Sequence, residues 1–212
     1  MTRNIITTAI AVSLVAGVCV AEETEVKESK DFSIRVSLGN APGIDEVESS
    51  GGSGSINDDG GARVEIIAVK RWWGKSNSNI GGSFGGGVFF GNHALSDGGI
   101  EVDLTTFGVL LQGGFIAKAG DHIVLEVGPY LGIGIADNET SGYSGSGTGS
   151  YGLFGVKGGA FFLLGSKVEL GLELGYEAFS HEQEYDGGWI GNEDVTFSGS
   201  GVHVAAVFAV KF

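Results

Sequence analysis

Long stretches of this chain alternate between apolar residues and small or polar ones, and this alternation restricts the possible folds more than any other feature. In residues 167–180 the even positions from Val168 to Tyr176 are apolar, whereas the odd positions carry glycine or glutamate. A period of two residues places alternate side chains on opposite faces and indicates a β-strand. The same pattern occurs at 32–38, 122–136 and 202–212.

Four further strands are predicted at 62–74, 80–91, 100–117 and 151–164, which gives eight strands in total. The connections between the eight strands alternate between long and short, as expected of an up-and-down barrel whose two ends differ. The long connections are rich in Gly, Ser, Asn and Asp, and three of them, 40–61, 137–150 and 181–194, are expected to present flexible polar surface. The predicted connections are 40–61, 75–79, 92–99, 118–121, 137–150, 165–166 and 181–194.

The bulky apolar face of these strands is expected to point outward, into lipid. The space inside eight strands is only just wide enough for side chains, so it cannot hold Phe, Leu, Ile and Tyr from every strand. Glycine contributes 40 of the 212 residues, and the glycine-rich, charged face suits that narrow interior. The sequence therefore predicts an all-β fold, an eight-stranded antiparallel up-and-down transmembrane barrel, whose closure leaves no unpaired edge in hydrocarbon.

Charged residues on the inward face are expected to form ion pairs, because buried charges are normally paired. Glu101 and Asp103 are also assigned to this face, which gives it an excess of acids. Two interpretations stay open: a filled interior that does not conduct, which is favoured, and a narrow porin-like channel that prefers cations. The predicted interior network comprises Arg35, Arg63, Glu65, Glu126, Lys157, Glu169, Glu173 and Glu177.

Aromatic residues occur where the two membrane interfaces are expected. Trp72 and Trp73 adjoin a short connection, Phe212 ends the sequence, and Tyr151 and Trp189 adjoin long connections. Aromatic girdles flank the apolar band of membrane barrels. We therefore assign these five residues to an aromatic girdle, with ordinary core packing of Trp72 and Trp73 as the alternative.

The N-terminus is typical of a secretory signal peptide. Arg3 precedes an apolar run at 5–20, and small residues at 19–21 fit a cleavage site. The run is short for a membrane anchor of about 20 residues. We expect a signal peptide at 1–21, a short acidic periplasmic segment at 22–31 and the barrel at 32–212. The net charge of −14 argues against nucleic-acid binding, which requires a basic patch.

The last twelve residues add a resemblance to a known family. Val204, Phe208, Val210 and the terminal Phe212 lie at alternate positions. This segment, the signal peptide and the strands resemble the eight-stranded outer-membrane barrels of the OmpA, OmpX and opacity-protein type. The resemblance implies location in the cell outer membrane and contact with lipid and lipopolysaccharide. It also implies recognition of the C-terminal residues by the barrel-assembly machinery, and no cell-wall tether is expected.

No sequence motif indicates an enzyme, a cofactor or a metal centre. Gly74-Lys75-Ser76 lacks the upstream glycine of a phosphate-binding loop, and His181 lacks a second histidine four residues later. No serine follows His203 in its strand, and the sequence leaves open which faces the upstream Ser198 and Ser200 occupy, so the geometry of a lipid-modifying triad is not visible. The expected function is structural or surface-interacting, without catalysis. The alternatives are the cation-preferring channel and, less favoured, a secreted soluble β protein.

Overall fold

The fold is all-β in the computed structural model, which describes residues 32–49, 52–55, 60–74, 79–97, 100–141, 146–185 and 193–212. No helix in these residues is long and apolar enough to cross a membrane. The predicted signal peptide, the segment 22–31 and Trp189 lie outside the described residues. The strands are β1 (Phe32–Ala41), β2 (Glu46–Ser49), β3 (Gly52–Ser55), β4 (Gly61–Trp73), β5 (Ile80–Asp97), β6 (Ile100–Lys118), β7 (Ile123–Ser141), β8 (Ser146–Leu164), β9 (Val168–Tyr185) and β10 (Glu193–Lys211).

Eight of these strands close into an antiparallel barrel, as the sequence predicts. From β4 to β10 each strand pairs with the next, and β1 pairs with both β4 and β10. The closing seam runs from Ser33 opposite Lys211 to Gly39 opposite Ala205. Every strand of the wall is therefore paired on both sides, which removes the free edges that hydrocarbon does not tolerate.

Two short strands within the predicted connection 40–61 form a hairpin. β2 pairs with β10 from Val195 to Ser198, above the point where β1 ends, and β3 pairs with β2. The hairpin thus takes the place of β1 beside β10, beyond the last residue of β1 that pairs with β10. The prediction that 40–61 is a loop without strands is wrong in this respect.

The other predicted long connections are largely strand. β5 extends to Asp97, β7 to Ser141, β8 begins at Ser146, and β9 and β10 extend to Tyr185 and Glu193. The predicted loops 92–99, 137–150 and 181–194 are therefore much shorter than expected. Pairing with β7 holds even the Gly- and Ser-rich start of β8 in an extended conformation, and β9 joins the ladder on the other side from Ser150 onward.

The short connections lie together at the opposite end of the barrel. Two of them contain a glycine in the left-handed region, Gly120 with φ of 76° and Gly165 with φ of 74°. Glycine adopts this conformation without a steric penalty, so the chain reverses within a few residues. The barrel therefore has one end with tight turns and one end with strands that project.

The two faces of the wall follow the alternation in the sequence. On β9, Leu172 is 64% exposed and its neighbour Glu173 is 5% exposed, and the same contrast holds along β7 and β10. The outward apolar belt ends sharply towards the projecting end. The first polar outward residues beyond it on five successive strands are Thr105, Asp137, Ser150, Ser180 and Ser200.

Candidate functional site

The barrel interior is the candidate site, because it gathers charged side chains from six strands, β1, β4, β7, β8, β9 and β10. Arg63 of β4 donates to both carboxylate oxygens of Glu177 on β9, at 2.5 and 2.6 Å. Its Nε atom lies 3.0 Å from Oε1 of Glu65. The Tyr130 hydroxyl also donates to Glu177. Two carboxylates and a phenol thus surround one guanidinium group.

A second group of ion pairs centres on Glu126 of β7. Arg35 Nη2 donates to Glu126 Oε2 at 2.6 Å, and the Ser83 hydroxyl donates to Oε1 at 2.8 Å. Arg71 Nη2 lies 3.5 Å from the same carboxylate, while its Nη1 donates to Glu169 at 2.7 and 2.9 Å. This group lies nearer the short-turn end than the pairs of Arg63.

Lys157 of β8 links strands within the interior network. Its Nζ donates to Glu65 Oε2 at 3.1 Å and to Glu173 Oε2 at 3.0 Å. Glu173 Oε1 is also 4.0 Å from Arg35. The eight charged residues assigned to this network by sequence all point inward, and each takes part in an ion pair.

Two basic residues of the network were missed by the sequence reasoning. The first is Arg71, which shares the odd-numbered face of β4 with Arg63, so the alternation of the sequence already predicted that it points inward. The second is Lys211, whose Nζ lies 3.5 Å from Glu169. Asp103 was assigned inward, but it is exposed on the outer face of β6, one position from buried Leu104. The side chain of Glu101 is not among those that the structure describes. Among the described interior residues, five glutamates therefore face five basic groups, and the predicted acidic excess is not found.

Apolar and aromatic side chains fill the interior on both sides of the charges. Towards the projecting end, Tyr151 packs on Phe89 and Phe179, each with ring centroids 5.7 Å apart. Towards the short-turn end, the Phe161 ring lies 4.5 Å from the Arg35 guanidinium and 5.1 Å from that of Arg71. The charges are thus enclosed between two apolar layers, as the filled-interior interpretation requires.

The predicted girdle residues occupy different places. Tyr151 is only 3% exposed and lies inside the barrel, so its assignment to an outer girdle is wrong. Trp73 packs against the buried cluster at the short-turn end and lies under Lys118 Nζ at 4.5 Å. Trp72 and Phe212 are each 50% exposed. Phe212 packs on Phe32 across the closing seam, with centroids 6.3 Å apart.

The C-terminal residues implied by the family resemblance share one face of β10. Val204 and Phe212 are exposed, and Phe208 and Val210 are partly exposed, whereas the intervening Ala205, Val207 and Ala209 are buried. The end of the last strand therefore presents a row of apolar side chains on the outer face of the barrel. Its role as an assembly signal stays a prediction.

The interior histidines have partners that do not suit nucleophilic catalysis. His203 Nδ1 contacts the Asn40 carbonyl at 2.7 Å and lies 3.3 Å from Arg63 Nη2. His181 contacts the Ser150 carbonyl and the Gln183 side chain. A catalytic triad requires a hydroxyl on one ring nitrogen and an acid on the other. Neither of these two histidines has that arrangement, and the described residues contain no metal-binding cluster of His, Cys, Asp or Glu.

Comparisons with known proteins return similarities among solved structures alone, since no family model and no curated protein sequence matches the chain. Neisserial surface protein A shares 17% identity, with 87% of this chain and 98% of that chain covered and a TM-score of 0.49. The attachment invasion locus protein Ail of Yersinia pestis shares 15% identity, with coverage of 85% and 96% and a TM-score of 0.44. The outer membrane protein OprG from Pseudomonas aeruginosa shares 12% identity, with coverage of 85% and 95% and a TM-score of 0.44. The assignment of this chain as a closed eight-stranded barrel rests on its own strand pairing.

Proposed function

We propose that the chain is an integral outer-membrane β-barrel with a structural or surface-interaction role and no catalytic activity. The observation that carries this proposal is the continuous outward belt of large apolar side chains, which would be costly in water. Ile133 and Leu174, for example, are 64% and 61% exposed. On β7 the belt runs from Leu125 to Ile135. Eleven residues at about 3.3 Å each and a tilt of about 40° span about 28 Å, close to the ~25 Å apolar band of such barrels.

The polar end of the wall supports a surface role. Beyond Ile135, Thr105 and Ser180 begin outward faces that are polar, and the hairpin β2–β3 adds exposed Glu46 and Glu48. Outer-membrane barrels present their longer strand extensions outside the cell and their short turns to the periplasm. We therefore assign the projecting end to the cell surface, where it meets lipopolysaccharide and any surface ligand.

The filled interior favours a closed barrel over the channel interpretation. The channel alternative depended on an acidic excess, and the described interior pairs five glutamates with five basic groups. Aromatic packing at Tyr151 and Phe179 occupies the path towards the projecting end. Ion passage would require these groups to separate.

Two measurements test the proposal. Outer-membrane fractionation followed by SDS gels of boiled and unboiled samples is expected to give a heat-dependent shift, because a closed barrel resists SDS until heated. Planar-bilayer recording of the refolded protein is then expected to give no steady conductance. A soluble protein without a heat-dependent shift would refute the membrane assignment, and steady cation-selective currents would refute the closed interior.

A further inference from the structure

One basic side chain faces outward on the wall of the barrel. The odd-numbered residues of β4 from Arg63 to Arg71 are buried, and Lys70 lies on the opposite, exposed face. Among the strand residues whose side chains the structure describes, Lys70 is the one lysine or arginine with this orientation. A charge on the lipid-facing side needs a partner, because hydrocarbon does not solvate it.

The side chains next to Lys70 on the outer face carry no negative charge. Lys70 lies opposite Phe32 on β1 and opposite Phe84 on β5. Ala68 and Trp72 precede and follow it on the same face of β4. These four neighbours are apolar or aromatic, so the wall around Lys70 supplies no counter-charge.

Lys70 lies near the edge of the wall at the short-turn end. It precedes Trp73, the last residue of β4, by three positions. At about 3.3 Å per residue and a tilt of about 40°, this corresponds to a height of about 8 Å. The stem of a lysine lies along apolar surface while its ammonium group reaches polar surroundings. We therefore expect the ammonium group at the depth of the lipid phosphates.

Trp72 places a hydrogen-bond donor on the same face. Its indole ring lies over Gly82 of β5, where an added Cβ would be 2.5 Å from Cζ2 and 2.9 Å from Nε1 of the ring. The ring thus lies close against the wall, and it is half exposed. An indole N–H can only donate. An ammonium group and an indole N–H on one face suit the oxygen atoms of a phosphate, which accept charge-assisted hydrogen bonds.

The two ends of the barrel differ in charge. Lys118, Lys167 and Lys211 lie at the short-turn end together with Lys70. The sequence at the projecting end contains acids but no lysine or arginine. It comprises the stretches 40–61, 92–105, 137–150 and 181–194. Basic residues next to a membrane attract anionic lipids, so an anionic headgroup is favoured at the short-turn end and disfavoured at the projecting end.

We propose that Lys70 and Trp72 bind the phosphate of an anionic phospholipid in the leaflet on the short-turn side. This inference rests on the membrane location given under the proposed function. The acyl chains lie on the apolar belt, and Phe32 and Phe84 flank the stem of the lysine. One lysine near an anionic membrane surface corresponds to a preference of roughly fivefold for phosphatidylglycerol over phosphatidylcholine.

Quenching of Trp72 fluorescence by brominated lipids tests the proposal. The full chain carries Trp73→Phe and Trp189→Phe, which leaves Trp72 as its one tryptophan, and it is refolded in phosphatidylcholine vesicles. Part of the lipid is replaced by phosphatidylglycerol or by phosphatidylcholine, each brominated in its acyl chains. Quenching at equal mole fraction gives the relative affinity of the two lipids beside Trp72. We expect phosphatidylglycerol to be favoured by the factor given above.

Three variants locate the preference. Lys70→Gln removes the charge and is expected to reduce the preference to about one, whereas Lys70→Arg keeps the charge and is expected to retain it. Lys118→Gln is the matched control. It removes the same charge from the same end, but Lys118 Nζ lies 4.5 Å from the ring of Trp73, which packs against the buried cluster. Its preference is expected to equal that of the parent.

The outcomes separate this site from the proposed function. Equal quenching by the two lipids would overturn the site and leave the membrane assignment intact. An unchanged preference in Lys70→Gln would overturn it too, as would an equal loss in Lys118→Gln, which would assign the preference to the charge of the whole rim. Absence of quenching by either lipid would refute both the site and the proposed function. If Trp73→Phe does not refold, the same comparison is made with Trp73 retained, as a background common to both lipids.

Discussion

Replacing Arg63 by Met is the sharpest test of how the interior stabilises the barrel. Arg63 and Glu177 are both almost completely buried and share two short hydrogen bonds. Without the guanidinium group, Glu65 still has Lys157 at 3.1 Å, but Glu177 keeps, among the described side chains, only the Tyr130 hydroxyl. Breaking a buried ion pair from one side costs about 3–5 kcal/mol, so we expect the free energy of unfolding to fall by that amount.

The measurement is urea unfolding of the refolded protein in detergent, followed by tryptophan fluorescence. Adding Glu177→Gln to Arg63→Met removes the stranded charge and keeps an acceptor for Tyr130, so the double variant is expected to regain at least half of the loss. Asp121→Asn, in an exposed short turn, is the control and is expected to stay within about 0.5 kcal/mol of the parent. If Arg63→Met also stayed within that margin, or if the double variant were no better than the single one, the reasoning would be refuted.

Three further predictions concern the belt, the terminus and the projecting end. Leu172→Arg places a charge at a 64% exposed lipid-facing position and is expected to cost about 2–4 kcal/mol in vesicles, whereas Glu182→Arg, beyond the belt, is expected to cost much less. Deletion of Phe212 removes its contact with Phe32 and is expected to lower the amount of assembled barrel in outer membranes, measured by the heat-dependent shift. Replacing 144–149 by a two-residue turn removes the β8 residues that pair with Ala136–Glu139 but leaves the apolar belt intact. The heat-dependent gel shift is therefore expected to persist. Loss of the shift would show that the projecting strands are needed for folding.

The period of two determined which parts of the fold could be predicted. It identified the eight wall strands and both faces of β9, because Glu169, Glu173 and Glu177 alternate with large apolar residues. The same rule, applied strictly, would also have placed Arg71 and Tyr151 inside, since they share parity with Arg63 and Lys157. Composition misled where it replaced periodicity: Tyr151 was assigned to a girdle because it follows a Gly- and Ser-rich stretch.

The lengths of the strands could not be read from local sequence. Residues 146–150 have the composition of a loop, and they are extended because β7 pairs with all of them and β9 pairs with Ser150. Strand preference depends on such neighbours more than on the residue itself. The strands of the hairpin β2–β3 have four residues each, too few for their alternation to stand out, and the position of the hairpin depends on its pairing with the upper part of β10.

The strands that project beyond the apolar belt remain paired with their neighbours, so this end of the barrel is a continuation of the sheet and not a set of irregular loops. Beyond the apolar belt β7 continues for six residues, from Ala136 to Ser141, which at about 3.3 Å each and a tilt of about 40° rise about 15 Å. Whatever is carried at the tips is therefore held at a fixed height above the lipid headgroups. Residues at that height lie outside the apolar belt, so substitutions there are expected to alter the projecting end without altering how the barrel folds.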